Sequence, residues 1–374
     1  MSSPSVTRRI ALALGLAAAV ILAGGTPASA SQGVWRRLPV SGQPPTERSA
    51  PVAAALGSSI YLFGGVRDDF ATGQNTFLND LRRFDTRTGV WRLLSPHGGP
   101  PPARAFGVAA AQASTGRVFV FGGGTFDNFS LSPLNDLWAY SAAANTWTEL
   151  HPRTSAPAAR SGPVMWISGD RLYLFGGITA AFATLNDLWA YDLRANTWTE
   201  LIPDGAPGSP PARHVAQAGG AEVGGVFTIY GGETIDATGN FVQLNDTWQL
   251  RVATRTWTRV TFPSGGDIAP PRNYGAAATI GQNLYLHGGD LPGGSAGCGA
   301  PFPQNPNNEL WRFDVRAKKW ARLQPAGDPV ARLKRHVAVA ADGRMYVVSG
   351  WDFQCADGVG PGQVWNLNTY AFTP

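Results

Sequence analysis

The chain has 374 residues with 30 basic and 25 acidic side chains, a formal charge of +5, and only 15% of it is charged. That near balance gives no warrant for a nucleic-acid or acidic-membrane partner. With 46 Gly, 29 Pro and 44% apolar residues, the composition excludes a helical bundle and a disordered chain and fits short strands joined by turns.

In chain order, the first segment reads as an export signal. Arg8 and Arg9 precede an apolar run over residues 10–23, and Ala28-Ser29-Ala30 supplies a small-x-small cleavage pattern. Residues 1–30 are therefore expected to be removed. The mature chain, residues 31–374, is expected in a secreted, extracellular or periplasmic setting with no membrane span.

Next comes Val34-Trp35-Arg36-Arg37-Leu38, which copies Val90-Trp91-Arg92-Leu93-Leu94. From there a unit of roughly 55–60 residues recurs six times. Each unit restarts with a Pro-rich stretch and an Arg, at Arg48, Arg104, Arg160, Arg213, Arg272 and Arg335. A short apolar run then ends on paired glycines: Gly64-Gly65, Gly122-Gly123, Gly176-Gly177, Gly231-Gly232 and Gly288-Gly289, with Ser349-Gly350 as the sixth. Such runs fit central strands buried on both faces. A connection leads to an Asn-Asp-Leu-Trp-x-Tyr strand at Asn135-Asp136 and Asn186-Asp187, varied at Asn79-Asp80, Asn245-Asp246 and Asn308-Glu309. A lone Trp follows at 91, 147, 198, 257 and 320. The last unit reads Val364-Trp365-Asn366-Leu367, with Gln363 in the acid column, and the chain stops at Pro374 before another lone Trp. Trp35 supplies the missing piece, so the N-terminal strand is expected to complete the last blade beside the strand following Gln363 and to remove the open edges; two alignments are open around Leu367-Asn368-Thr369, and either leaves the fourth strand to the N-terminus.

These motifs resemble the kelch-repeat family, in the galactose oxidase-like superfamily, across essentially the whole mature chain, as a secreted, bacterial-type member. The resemblance implies an all-β, six-bladed propeller of four-stranded antiparallel blades. Within each blade the strands alternate in direction. The long 2–3 and 4–1 connections then emerge on one face, where binding on a rigid scaffold is expected. The six repeat Arg ring that face, and the acids that open the third strands are their expected partners, because six unpaired Arg so close together would repel.

Symmetry is broken in blades 4–6. Glu233, Asp290 and Asp352 follow the glycines, and His214, Asn273 and His336 follow the repeat Arg. With Arg213, Arg272 and Arg335 they make the candidate ligand-binding set. Carboxylates beside His suit acid–base chemistry, a metal, or a hydrogen-bonded polar rim. Phe70, Phe77, Phe126, Phe129, Phe182, Phe241, Phe302 and Phe353 in the 2–3 connections pin their own loops or present a partner surface. Cys298 and Cys355, in the connections of blades 5 and 6, are expected to form a disulfide.

The leading functional expectation is a monomeric binding module that needs no cofactor and takes a glycan or a protein on the loop face. The alternative is an exported enzyme acting on an anionic sugar, which a resemblance to kelch-type sialic acid mutarotases would imply. A copper oxidase of the galactose oxidase type needs a Tyr–Cys cross-link with His ligands, which Cys298 and Cys355 do not offer. No zinc-type spacing or catalytic motif occurs, so no metal or catalytic residue is assigned.

Overall fold

The computed structural model describes residues 32–127 and 130–374; the expected export signal over residues 1–30 and Phe129 lie outside them. Among the described residues there is no helix, and hence none long and apolar enough to cross a membrane. Six antiparallel blades form a propeller. In blade 1 the strands Val52–Leu56, Ser59–Phe63, Leu81–Asp85 and Val90–Leu94 pair in chain order from the axis outward. The innermost strands are rich in Ala, as in Ala53, Ala55, Ala109, Ala111, Ala338 and Ala340, because six of them converge on the axis. They line a central channel of about 310 Å³. The second strands carry apolar residues on both sides, such as Ile60 and Leu62 on one face and Tyr61 and Phe63 on the other, because each is covered by a neighbouring blade on either face.

The lone Trp column joins the blades. Trp147, Trp198, Trp257 and Trp320 each pack on the aromatic ring that ends strand 2 of the preceding blade, namely Phe63, Phe121, Phe175 and Tyr230, at centroid separations of 4.9–5.5 Å. Trp35 does the same with His287 at 5.3 Å. The paired glycines beyond those rings take positive φ, which favours residues without a Cβ.

The N-terminal strand closes the ring. Val34–Arg37 runs antiparallel to Thr369–Thr373, with Val34 opposite Thr373 and Arg37 opposite Tyr370. Of the alignments left open around Leu367-Asn368-Thr369, the one in which the third strand of blade 6 begins at Thr369 prevails. Trp365 lies opposite Trp351 in a separate hairpin. The reason is Asn366, whose N–H bonds to Gly350 O as Leu134 N–H bonds to Gly123 O. Asn366 thus matches Leu134, and Asn368 and Tyr370, rather than Gln363 and Trp365, occupy the acid and Trp columns.

In blades 1, 2, 3 and 6 the incoming 4–1 connection begins beside the outer strand. Ser41–Gly42 pairs in parallel with Val90 and Trp91, Ala326–Gly327 with Val34 and Trp35, and His97 with Thr146. Gly42, Gly98 and Gly327 have positive φ, and a Cβ there would strike the main-chain oxygen of Trp91, Trp147 and Trp35.

The 2–3 connections are ordered ribbons rather than loops. Two-stranded hairpins rise from blade 1 (Val66–Asp69 with Gln74–Phe77), blade 2 (Gly124–Asp127 with Ser130–Pro133) and blade 4 (Glu233–Ile235 with Phe241–Gln243). The longest belong to blade 5 (Asp290–Gly297 with Ala300–Pro306) and blade 6 (Trp351–Ala356 with Val359–Trp365). In blade 3 the two central strands simply extend. The expected disulfide joins the last two ribbons, with Cys298 and Cys355 bonded at a Cα separation of 5.9 Å.

Candidate functional site

Five of the six repeat Arg are framework staples. Arg160 is buried and donates from its two terminal nitrogens to Asp187 at 2.6 and 2.8 Å, to Gly176 O at 3.0 Å, and from Nε to Ala158 O at 2.9 Å. Trp189 Nε1 donates to the same carboxylate at 2.7 Å. Arg48 and Arg104 repeat the pairing with Asp80 and Asp136. Two members of the candidate set are engaged likewise: Arg213 by both oxygens of Asp246, and Arg272 by a single bond to Glu309 at 2.7 Å. Burial works against the Asp246 carboxylate, but Arg213 and the Trp248 N–H outweigh it and hold it below its ordinary range. Each of these Arg ties the entry to its blade to the second and third strands of that same blade, and its side chain is spent on those bonds.

The sixth unit departs from the register its sequence implies. Lys334 forms the bridge to Trp351 that His214 forms to Glu233 and Asn273 forms to Asp290. Leu333 therefore stands in the Arg column, and Arg335 is corrected to a position two residues further on. That position has positive φ in every blade: Ala50, Phe106, Gly162, Val215, Tyr274 and Arg335. Main-chain bonds link them from blade to blade: Phe106 N–H to Ala50 O, Gly162 to Phe106, Val215 to Gly162, Arg335 to Tyr274, and Ala50 to Arg335, at 2.6–3.1 Å. Around this girdle the Arg335 guanidinium lies over Tyr274 and Phe106, 4.9 and 5.2 Å from the ring centres.

A polar arc runs through the girdle and crosses three blade boundaries. Asn273 Nδ2 donates to Glu233 Oε1 at 2.7 Å, joining blades 4 and 5. His214 Nε2 lies 3.2 Å from Glu233 Oε2, out of line for a hydrogen bond. Lys334 Nζ donates to Asp290 and to Gln304 at 2.5 Å, joining blades 6 and 5. Arg335 pairs with Asp68 of blade 1, which also accepts from Ser49 Oγ at 2.8 Å. Burial pushes the Lys334 ammonium down to about 8 against the pull of Asp290. Burial likewise raises the Asp68 carboxyl, against the opposing effect of Arg335. The opposite half of the girdle is apolar, with Ala50, Val66 and Ala105 packed against Phe77, Phe106 and Phe126.

The structure thus brings His214, Glu233 and Asn273 together and sets Asp290 beside Lys334. His336 is not with them: it lies below the face with its Nε2 3.1 Å from His287 Nδ1, because it occupies the column of Gly107, Ala216 and Gly275. Asp352 pairs with Arg332 at 3.1 Å. Sequence reasoning missed Lys334, Asp68, Tyr274 and Gln304. Asp68 carried a signal, since it lies two residues beyond Val66 and so on the same side of a strand; Lys334 emerges only with the correct register. No three His, Cys, Asp or Glu side chains come together as a metal site among the described residues. Chemically the arc is a set of mutually paired charges, which favours a rigid floor for the ribbons over a reactive centre.

The ribbons above that floor are held largely by aromatic contacts. Phe70 packs edge-on against Trp351 at 5.2 Å and Phe302 at 6.5 Å, and Phe77 against Phe126 at 5.1 Å. Comparison with known proteins agrees with the architecture. Residues 69–289 match the KLHDC2/KLHL20/DRC7 Kelch-repeats domain. The chain belongs to the Kelch-repeat family. This Kelch propeller is 31% identical over 303 residues to leucine-zipper-like transcriptional regulator 1 of Homo sapiens, covering 79% of this chain and 33% of that protein. It is 30% identical over 265 residues to Kelch domain-containing protein 10 of Homo sapiens (69% of this chain, 55% of the relative). To host cell factor 1 of Mus musculus it is 27% identical over 363 residues (90% and 17%). The chain thus spans only 17% to 55% of the length of these relatives. They also correct the expectation of a secreted, extracellular or periplasmic protein: they are eukaryotic Kelch proteins, one named a transcriptional regulator and one a host cell factor, and they point away from export. The Cys298–Cys355 bridge is the feature among the described residues that speaks for an oxidising setting.

Proposed function

We propose that this Kelch propeller recognises a protein partner with the ribbon face over blades 4–6. The observation that carries the reading is where large apolar side chains stand in solvent. Phe241 and Val242 are exposed on the blade 4 ribbon, Phe302 on that of blade 5, and Val359 on that of blade 6. Aromatic and aliphatic side chains on a rigid support are what protein interfaces use as anchors. Two features support preorganisation: the disulfide ties the ribbons of blades 5 and 6, and the buried charge arc holds their bases. An anionic sugar is favoured less, because Arg213 and Arg272 on this half are already bound to carboxylates.

The test is site-specific photo-crosslinking in an extract. A photoreactive residue at Val242, Phe302 or Val359 is expected to capture one protein that the same residue at Arg171 or Arg194 does not. Phe241→Ser with Phe302→Ser is expected to abolish that capture while the protein still unfolds in one cooperative transition. Equal capture from both sets of positions, or capture that survives the double substitution, overturns the reading.

A further inference from the structure

The outer edge of a blade is normally covered by the chain itself. In blade 2, His97 N–H bonds to Asn145 O and Trp147 N–H bonds to His97 O, both at 2.9 Å. Blades 1 and 6 are covered by Ser41–Gly42 and Ala326–Gly327, and blade 3 by Arg153 and Thr154, which bond to Asn196 and Trp198. Blade 4 departs from this pattern. Pro203-Asp204-Gly205 corresponds to Pro96-His97-Gly98, yet it turns back onto its own blade: Asn186 N–H bonds to Asp204 Oδ1 at 2.8 Å and Gly205 N–H to Asn186 Oδ1 at 2.7 Å. A Cβ at Gly205 would meet nothing within 4 Å. Among the described residues, no segment then pairs with the outer edge of Thr256–Val260, so Arg255 O and Trp257 N–H stand where blade 2 has bonded groups. An unpaired strand edge is a template for another chain.

A second observation concerns charge. Between blades 4 and 5 lies a cleft of about 340 Å³ that reaches Thr258 on the same strand. Its floor is Val223, Val226 and Val315, and its rim is Arg251, Arg316 and Lys318. None of these three cations has a carboxylate partner among the described residues, whereas Arg194 of blade 3 pairs with Asp170 at 2.6 Å. The outer strands differ in the same sense. Where blades 2 and 3 carry Glu149 and Glu200 two residues after the Trp, blades 4 and 5 carry Arg259 and Arg322. The outer strand of blade 5, Lys319–Leu323, is uncovered too, but the cleft adjoins that of blade 4.

We propose that the outer edge of blade 4 accepts an extended acidic segment of a partner protein, added in parallel beside Thr256–Val260. Its main chain would take Trp257 N–H and Arg255 O, as His97 does in blade 2. A glycine would lie opposite Trp257, as Gly42 and Gly327 lie opposite Trp91 and Trp35, and its carboxylates would meet Arg251, Arg316 and Lys318. This edge is separate from the ribbon face, so either surface stands if the other fails.

The experiment uses the full chain and a panel of short, labelled acidic peptides built as Asp-Glu-Val-Ser-Gly-Asp-Glu-Asp and its permutations. Fluorescence anisotropy is expected to show saturable binding, and hydrogen exchange is expected to slow at the Trp257 amide and not at the ribbons. Replacing the peptide glycine by Val, or reversing charge in the protein with Arg316→Glu and Lys318→Glu, is expected to weaken binding about tenfold or more. The peptide change needs no altered protein, so a folding defect in the charge-reversed variant does not mask the result. Three outcomes overturn the proposal: no saturable binding by any peptide of the panel, binding unmoved by both changes, or a dimer in sedimentation that protects Trp257 and that the peptides do not displace. The last would make a second copy of this chain the occupant.

Discussion

The His287–His336 pair gives the fold an acid-sensitive seam. His287 stands where blades 1–3 have Phe63, Phe121 and Phe175, fully buried with Trp35 against its edge. Its Nδ1 lies 3.1 Å from His336 Nε2, and neither His287 Nε2 nor His336 Nδ1 has another partner. Burial, the neighbouring His336 and Arg272 push His287 well below its ordinary value, and burial pushes His336 down to about 3. Both are therefore neutral in the fold. The unfolded chain binds protons below about 6.5 at each histidine, whereas the fold binds one at His336 only near 3. The stability due to His336 is fully present above about pH 6.5 and is lost as pH falls toward 3, by about 1.4 kcal/mol per pH unit in between, and the lowered His287 acts in the same direction. At about pH 4.5, His336 alone accounts for about 2–3 kcal/mol. Replacing the pair by His287→Phe and His336→Ala restores the ring and the small residue found in other blades. The double variant should match the parent within about 1 kcal/mol near neutrality. It should exceed the parent by at least about 2 kcal/mol near pH 4.5, because carboxylate titrations are common to both. Urea unfolding followed by Trp fluorescence at the two pH values, at constant ionic strength, reads the difference. Parallel loss of stability in parent and variant would refute buried, neutral histidines.

Three further outcomes follow from the same packing. Trp35→Ala removes the ring that lies 5.2 Å from Phe372 and 5.3 Å from His287, and should cost about 3–5 kcal/mol; a melting curve unchanged from the parent would show that the N-terminal clasp does not hold the ring. Arg160→Ala strands the buried Asp187 carboxylate and should cost about 3–5 kcal/mol in chemical denaturation, against less than about 1 kcal/mol for Arg194→Ala at an exposed pair. Equal costs would mean that the staple is no stronger than a surface contact. Alkylation of the unreduced protein should find neither Cys298 nor Cys355 modified, and reduction should lower stability by about 2–4 kcal/mol without unfolding the blades.

Much of the architecture is legible in the residues because it is repetitive. Paired glycines, the Asn-Asp-Leu-Trp strand and the lone Trp recur since each blade must meet the same neighbours, and a copy of that strand at Trp35 announces closure. The pairing of Arg with acid could be reasoned from repulsion alone, and the disulfide from two cysteines on adjacent blades. In the candidate site, the polar bias of blades 4–6 was visible in Glu233, Asp290 and His214. Its register in the last unit was not. Arg335-His336 copies the letters of Arg213-His214, but Leu333 fills the buried Arg position and Lys334 makes the bridge to Trp351. Which of two similar alignments prevails depends on main-chain bonds between blades far apart in the chain, such as Ala50 to Arg335 and Asn366 to Gly350. The same holds for the open edge of blade 4. Pro203-Asp204-Gly205 has the composition of a covering segment, and only the competing bonds to Asn186 draw it away. Local spacing determined the repeat because packing demands the same residue at the same place in every blade. Partner choice among equivalent hydrogen-bonding groups is a competition between distant segments, and only the assembled propeller decides it.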